Sequence, residues 1–375
     1  MLPLGIALGW YWARRAAPSN PDSPSRAAPD YLSSLSHLVN EDADEAAASL
    51  VRAIETDPSS IELHFTLGSL FRKRGEMDRA LRLHQNLLDM PNLSREHYNQ
   101  ARFELAQDYQ RSGVMDRAES LFQELAAEGL FLQPVLEQML AIEEQAREWP
   151  KAVETARRLE SVKGQSLRPV IAHYQCEQAE PLRSTQPQAA LDHVNAALVT
   201  DPASVRASLM QGALHEAKKD WPAAIKAYRR VTEQDVRYLS EVLTPLQRCH
   251  EARQDLQTFW KYLDELEARG SHPSVMLAKA RLMVAEDMDP TVYLTEQLQK
   301  LPDWQGLDLL FESVAAHSEQ LAPAINGLRQ ALSKTYAALP VYRCSHCGLT
   351  PKILFWQCPS CKQWGSVAPV QTAAT

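Results

Sequence analysis

The cysteines near the C-terminal end of this 375-residue chain have a spacing suited to metal binding. Cys344 and Cys347 form one Cys-x-x-Cys pair, Cys358 and Cys361 form a second, and ten residues separate the pairs. Each pair can present two sulfurs on one side of a tight turn, and two facing turns make a tetrahedral all-sulfur site. Such a site suits zinc or a single iron ion. Two local disulfides are the alternative interpretation of the same spacing.

Four thiolates fill a tetrahedral shell, so the pattern predicts a structural, redox or binding role rather than catalysis at an open metal position. His346 lies between the first two cysteines, but a filled shell leaves it no place as a ligand. We expect Tyr342, Phe355, Trp356 and Trp364 to wrap a module too small to build an ordinary core. Metal binding would then supply much of the folding free energy of the module.

No motif in the sequence predicts an enzyme. The chain has neither a phosphate-binding glycine loop nor a dinucleotide-binding fingerprint. His215-Glu216 and His250-Glu251 begin like zinc-protease motifs, but neither has a histidine at the fifth position. We therefore expect both on the surface of helices, and we expect the acidic pair Glu143-Glu144 on a solvated helix face.

The composition favours a soluble helical protein. Hydrophobic residues make up 45% of the chain and charged residues 23%, while aromatic residues reach only 7% and there are 13 glycines. The net charge of -8 argues against nucleic acid as a general partner. Cys176 and Cys249 fall in helical sequence, and we expect them to be buried apolar residues in a reducing compartment.

The N-terminal residues predict a membrane anchor. An apolar run at residues 1–13 ends in Trp10-Tyr11-Trp12, and Arg14-Arg15 follows. Such an order is typical of the cytoplasmic end of a membrane span. We predict an anchor at residues 1–15 and a linker at 16–33, with the rest of the chain in the cytoplasm. Thirteen helical residues reach only about 20 Å of a hydrocarbon core of about 30 Å, so either the start lies upstream or the anchor enters one leaflet.

A repeat organises the middle of the chain. Alanines recur at intervals of 34 or 38 residues, at Ala46, Ala80, Ala118, Ala152, Ala190 and Ala224. This period, with a small residue at this point, is typical of tetratricopeptide repeats, in which paired helices stack into a superhelix. Small residues at these positions, and at Gly68 and Gly212, let the two helices of a pair approach closely.

The predicted fold is mainly α, a tetratricopeptide-repeat superhelix with a small C-terminal metal-binding module and a short N-terminal anchor. We predict repeats over residues 34–269, degenerate helical repeats or a cap over 270–339, and the metal-binding module over 340–370. Within the cap, helical patterns occur at residues 275–286, 292–300 and 324–337. 

Several segments resemble one known family. Residues 342–348 and 354–364, which contain the two cysteine pairs, resemble the rubredoxin-type C-terminal end of the bacterial lipopolysaccharide assembly protein B family. Residues 67–80 and 171–177 are also similar to that family. The resemblance covers the whole chain, because the order of anchor, repeats and metal module is the same. The shorter apolar anchor is a departure from the family.

The resemblance implies a function and a location. Proteins of this family sit on the cytoplasmic side of the inner membrane of Gram-negative bacteria. They help the membrane-bound AAA+ protease FtsH degrade LpxC, the deacetylase that commits carbon to lipid A. They also gather other lipopolysaccharide-synthesis or transport proteins. The resemblance further implies one iron or zinc ion bound by the thiolates of Cys344, Cys347, Cys358 and Cys361. A rubredoxin-like electron carrier and a general envelope-assembly scaffold unconnected with proteolysis remain alternatives.

Overall fold

The computed structural model describes residues 43–337 and 339–370. The predicted anchor at residues 1–15 and the predicted linker at residues 16–33 lie outside these ranges. No helix in the described ranges combines the length and the apolar character needed to cross a membrane. The chain divides into two compact units between Ile142 and Glu143.

The first unit consists of antiparallel helices joined by short turns. Numbered in chain order, they are α1 (Ala43–Thr56), α2 (Ile61–Lys73), α3 (Met77–Leu88), α4 (Arg95–Arg111) and α5 (Met115–Ala127). The next helix, α6 (Leu132–Ala146), contains the boundary between the units. Helices α2 and α4 are the first helices of their pairs, and α3 and α5 are the second helices.

The second unit continues the same pairing and ends in a small sheet. Its helices are α7 (Trp149–Lys163), α8 (Arg168–Ala179), α9 (Pro187–Thr200), α10 (Val205–Ala217), α11 (Trp221–Gln234), α12 (Leu239–Ala252), α13 (Leu256–Arg269), α14 (Pro273–Ala285), α15 (Thr291–Lys300), α16 (Trp304–His317) and α17 (Ala322–Ala337). Two short 3-10 helices lie at Glu180–Leu182 and Val236–Tyr238. Strands β1 (Tyr342–Cys344) and β2 (Val367–Pro369) follow and form an antiparallel pair.

Small residues set the helix spacing, as predicted. The six aligned alanines, from Ala46 to Ala224, have no exposed surface. A Cβ atom added at Gly68 would lie 2.3 Å from the His84 ring, and one at Gly212 would lie 2.4 Å from the Tyr228 ring. Only a hydrogen atom fits at these two positions, because the ring from the second helix packs directly on the backbone of the first. The mainly helical tetratricopeptide-repeat solenoid with a four-cysteine C-terminal module is therefore confirmed.

The cap contains a helix that the sequence patterns did not predict. Helices α14, α15 and α17 match the three predicted patterns to within two residues at each end. Helix α16 was missed, although Asp303 caps its first turn by accepting a hydrogen bond from the backbone N–H of Gly306. Gly306 reduces local helix propensity, but it allows close packing, since a Cβ there would lie 2.6 Å from Met276.

Two expected surface positions are buried instead. His250 is 3% exposed, and its ring stacks on Phe259 with the ring centroids 5.6 Å apart. Glu143 is 4% exposed and accepts a hydrogen bond of 2.9 Å from the Thr155 hydroxyl. The expectation was wrong for both, because short motifs carry no information about which face of a helix packs on a neighbour.

Candidate metal centre

The two cysteine pairs form turns with the same backbone pattern. In the first turn, the N–H of Gly348 donates to the carbonyl of Cys344 at 3.0 Å. In the second turn, the N–H of Lys362 donates to the carbonyl of Cys358 at 2.9 Å. The residue after each pair has a positive φ, 79° at Gly348 and 60° at Lys362. This left-handed residue closes each turn and directs both sulfurs of the pair to one side.

The structure brings the four predicted sulfurs together. All four Sγ atoms lie within 4.8 Å of one another. The Cys344 and Cys361 sulfurs are 3.8 Å apart, and those of Cys347 and Cys358 are 3.7 Å apart. A tetrahedral ion with metal–sulfur bonds of about 2.3 Å requires sulfur separations of about 3.8 Å, so the donor set fits zinc or a single iron.

The local-disulfide interpretation is wrong. All four thiols are free, and the short sulfur–sulfur distances join one turn to the other rather than the two cysteines of one pair. These separations are also far longer than a disulfide bond of about 2 Å. The cysteines therefore form one shared site, as the metal interpretation requires.

The surroundings shift the pKa values of Cys344 and Cys361 in opposite directions. The Ser366 hydroxyl, 3.3 Å from the sulfur of Cys344, lowers the pKa of that thiol to about 5, and the N–H of Cys347 acts in the same direction. The Gln363 N–H lowers the pKa of Cys361, but burial and the neighbouring sulfurs outweigh it and raise this pKa to about 11. Crowded thiolates repel one another, and a bound divalent ion removes that repulsion.

The sulfurs differ in their access to solvent. Cys344 and Cys358 are buried, Cys361 is half-buried and Cys347 is exposed.

The small core around the four cysteines contains Val367, with the side chains of Tyr342, Leu349, Leu354 and Phe355 packed against it. His346 is exposed. Two of the four aromatic residues expected to wrap the module therefore do so, and the two tryptophans have other contacts.

Trp364 contacts the helical repeats rather than the module core. Its ring stacks on His173 with a centroid distance of 5.3 Å, and it meets Tyr174 and Trp149 edge to face at 5.7 Å and 6.1 Å. Its Nε1–H donates to the carboxylate of Glu144 at 2.9 Å. The same carboxylate oxygen accepts a hydrogen bond from the Tyr174 hydroxyl. Glu144 thus joins the module to Tyr174 in α8. The sequence suggested only that Glu144 is an acidic residue on a solvated helix face.

The second tryptophan also packs on the repeats. Trp356 stacks on Tyr238, with ring centroids 5.8 Å apart and an angle of 14° between the planes. The Tyr238 hydroxyl donates to the carbonyl of Val367 in β2 at 3.0 Å. Five of the repeat residues that contact Trp356 or Trp364 are called the docking wall: Glu144, Trp149, His173, Tyr174 and Tyr238.

Burial under the module changes the chemistry of the docking wall. Desolvation lowers the pKa of His173 to about 3, and the nearby Arg206 guanidinium acts in the same direction. Desolvation raises the pKa of Tyr238 to about 12. Both side chains are therefore neutral in the folded protein at physiological pH. Sequence reasoning singled out residues 171–177 only by resemblance, and it gave no signal for Glu144, Trp149 or Tyr238.

Comparison with known proteins agrees with the fold and the site. Residues 342–369 match the family described as the rubredoxin metal binding domain, and residues 31–90 and 182–235 match the tetratricopeptide repeat family. The structure is also similar to part of a TPR repeat-containing protein from Cytophaga hutchinsonii, at 11% identity and a TM-score of 0.43, over 62% of this chain and 90% of that one.

Curated relatives match along the whole chain. Lipopolysaccharide assembly protein B of Escherichia coli K12 is 32% identical over 377 residues, which cover 99% of this chain and 97% of that protein. The Haemophilus influenzae protein of the same name is 32% identical over 392 residues, with the same coverage of both chains. This chain therefore belongs to the lipopolysaccharide assembly protein B family, and it carries the rubredoxin-type site for one iron or zinc ion.

Proposed function

We propose that this protein is a membrane-tethered adaptor in lipopolysaccharide assembly, which promotes degradation of the LpxC deacetylase by the FtsH protease. The observation that carries the proposal is the relationship to lipopolysaccharide assembly protein B along 99% of the chain. The repeat architecture supports it, because stacked helix pairs provide extended surfaces for protein partners. An adaptor of this kind needs no catalytic group of its own.

The four cysteines serve this role as structural ligands. We assign Cys344, Cys347, Cys358 and Cys361 as the ligands of one ion, since their sulfurs lie at tetrahedral separations. The bound ion supplies folding free energy to a module that is too small to fold on its apolar core alone. A shell of four sulfurs leaves no coordination position for a substrate.

Tethering explains how an adaptor with no catalytic activity can regulate the degradation of LpxC. An anchor at residues 1–15 would hold the repeats on the cytoplasmic side of the inner membrane, beside the membrane-bound protease. A partner held on the repeats or on the metal module then meets the protease at a high effective concentration. Other lipopolysaccharide-synthesis or transport proteins would gather on the same surfaces.

Removal of the ligands tests the role of the metal module. In cells that carry a Cys344→Ser/Cys347→Ser double variant, LpxC should have a longer half-life than in cells with the unaltered protein. Cys249→Ala is the matched control, because Cys249 is fully buried in α12 and is not one of the four clustered cysteines. Normal LpxC turnover in cells with a metal-free double variant contradicts the proposal.

A second candidate function is electron transfer. It is favoured by the exposure of Cys347, which places one ligand residue at the surface, where an electron could reach a bound iron. An iron-loaded protein should be red and should bleach with dithionite, whereas a zinc-loaded protein is colourless. A colourless, fully metallated protein that sustains normal LpxC turnover excludes this function.

The third candidate is a scaffold for envelope assembly with no link to proteolysis. Affinity purification from membranes, with and without residues 1–15, separates it from the adaptor role. The adaptor proposal expects FtsH and LpxC among the proteins recovered with the full chain, and fewer of both without the anchor. Recovery of other envelope-assembly proteins alone supports the scaffold.

A further inference from the structure

We propose that the contact between the helical repeats and the metal module is coupled to metal binding, although the repeats supply no ligand. Docking of the module on the docking wall strengthens the binding of the ion, and loss of the ion uncovers the wall. The inference rests on contacts within the second unit and is independent of any role in proteolysis. If so, the docking wall is covered when the module holds its ion and exposed when the ion is lost.

The first step is a contact between the repeats and the strand beside a ligand. The Tyr238 hydroxyl donates to the carbonyl of Val367 at 3.0 Å, and both groups are buried. Val367 lies opposite Cys344 in the β1–β2 pair and packs in the module core. Ser366 directly precedes Val367, and its hydroxyl lies 3.3 Å from the Cys344 sulfur. Tyr238 therefore fixes the strand that positions Cys344.

The second step involves the turn that carries the other cysteine pair. Trp364 is three residues beyond Cys361, and Trp364 pairs with Gln357 in an isolated bridge next to Cys358. The N–H of Gly365 donates to the carbonyl of Trp356 at 2.7 Å. Both indoles of this hairpin lie against the docking wall. Contacts with the repeats and contacts with the ion thus order the same short segment.

Metal binding and docking both stabilise the folded module. The module has only two three-residue strands and a small core, so it depends on external contributions to stay folded. The ion binds the folded module, and the docking wall also binds the folded module. Two interactions that favour the same state strengthen each other by the same factor, so docking raises metal affinity and the ion raises docking affinity.

The reciprocal consequence concerns the docking wall. Four of its residues, Trp149, His173, Tyr174 and Tyr238, have aromatic rings in contact with the indoles of the module. Release of the module exposes these rings together with the Glu144 carboxylate. The repeats would then present an aromatic surface with one acidic group, which is covered as long as the metal module is folded.

Metal affinity tests the first half of the proposal. Tyr238→Phe and Trp364→Phe each remove one hydrogen bond between the repeats and the module and keep a six-membered aromatic ring at that position. In competition with a zinc chelator of known affinity, we expect the dissociation constant for zinc to rise about fivefold in Tyr238→Phe and about tenfold in Trp364→Phe. Tyr262→Phe is the matched control, because Tyr262 is equally buried and its hydroxyl bonds to Thr232 within the repeats.

The control variant should bind zinc within about twofold of the unaltered protein. The proposal is overturned if Tyr238→Phe and Trp364→Phe both bind zinc as tightly as Tyr262→Phe. Far-ultraviolet circular dichroism of each zinc-loaded variant establishes that the repeats remain helical.

Histidine labelling tests the second half without any variant. His173 is 8% exposed beneath the module, and His250 is 3% exposed within the repeats alone. In the zinc-loaded protein, diethyl pyrocarbonate should label both slowly. After zinc removal by a chelator under reducing conditions, peptide mass spectrometry should show at least tenfold faster labelling of His173 and no change at His250. Continued protection of His173, or equal labelling of both, contradicts the proposal.

Discussion

The buried ring of His173 should make the docked protein sensitive to acid. Desolvation, with help from Arg206, lowers the pKa of His173 from an ordinary 6.5 to about 3. The folded protein therefore keeps this ring neutral, whereas the unfolded chain takes up a proton as the pH falls below about 6.5. The contribution is present in full above pH 6.5 and is lost progressively as the pH falls toward 3.

The size of the effect follows from the two pKa values. Between pH 7.5 and pH 6.0, the selective protonation of His173 in the unfolded chain should reduce the free energy of unfolding by about 0.8 kcal/mol. The assay is urea unfolding of the zinc-loaded protein at both pH values, for the unaltered chain and for His173→Gln. Protons also compete with zinc for the four thiolates, but this effect is common to both proteins and cancels in the comparison.

The unaltered protein should therefore lose about 0.8 kcal/mol more than His173→Gln over this range. An equal loss in the two proteins refutes the reasoning, because it would mean that His173 is protonated to the same extent in the folded and unfolded states.

Further substitutions test the packing and the turns. Gly212→Ala should lower the free energy of unfolding by about 1–3 kcal/mol, because the added Cβ would lie 2.4 Å from the buried Tyr228 ring. Gly327→Ala is the control in an exposed helical position with nothing within 4 Å, and it should raise stability by up to about 1 kcal/mol. Thermal unfolding of both variants measures the two changes. Lys362→Gly should stabilise the zinc-loaded module by up to about 1 kcal/mol, seen as resistance to chelator-induced unfolding, because φ is 60° there. Destabilisation by Gly327→Ala or by Lys362→Gly would contradict the helix and turn geometry, respectively.

Sequence reasoning succeeded where the signal is periodic or local. The alanine register predicted the paired helices because a small residue recurs at the same place in each pair and allows the helices to pack closely, and all six alanines are fully buried. The cysteine spacing predicted the four-sulfur cluster because each Cys-x-x-Cys turn is a local structure. Cys176 and Cys249 are buried, as predicted from their apolar character.

Sequence reasoning failed where a contact joins distant parts of the chain. Trp364 and Glu144 are 220 residues apart, and Tyr238 and Val367 are 129 residues apart. No local pattern distinguishes Glu144 from the many acidic residues on solvated helices. Trp356 and Trp364 were expected to wrap the module, but they pack against the repeats. The sequence does not distinguish these arrangements, since an aromatic residue in a small module can pack inward or against a neighbour.

X-ray absorption spectroscopy of the metallated protein tests whether four cysteine sulfurs close the metal site. The absorption edge identifies the metal as zinc or iron, and the fine structure counts its ligands. We expect four sulfur atoms at about 2.3 Å and no nitrogen or oxygen in the coordination shell. Three sulfurs with one nitrogen or oxygen would contradict it, because the site would then be open rather than closed by Cys344, Cys347, Cys358 and Cys361.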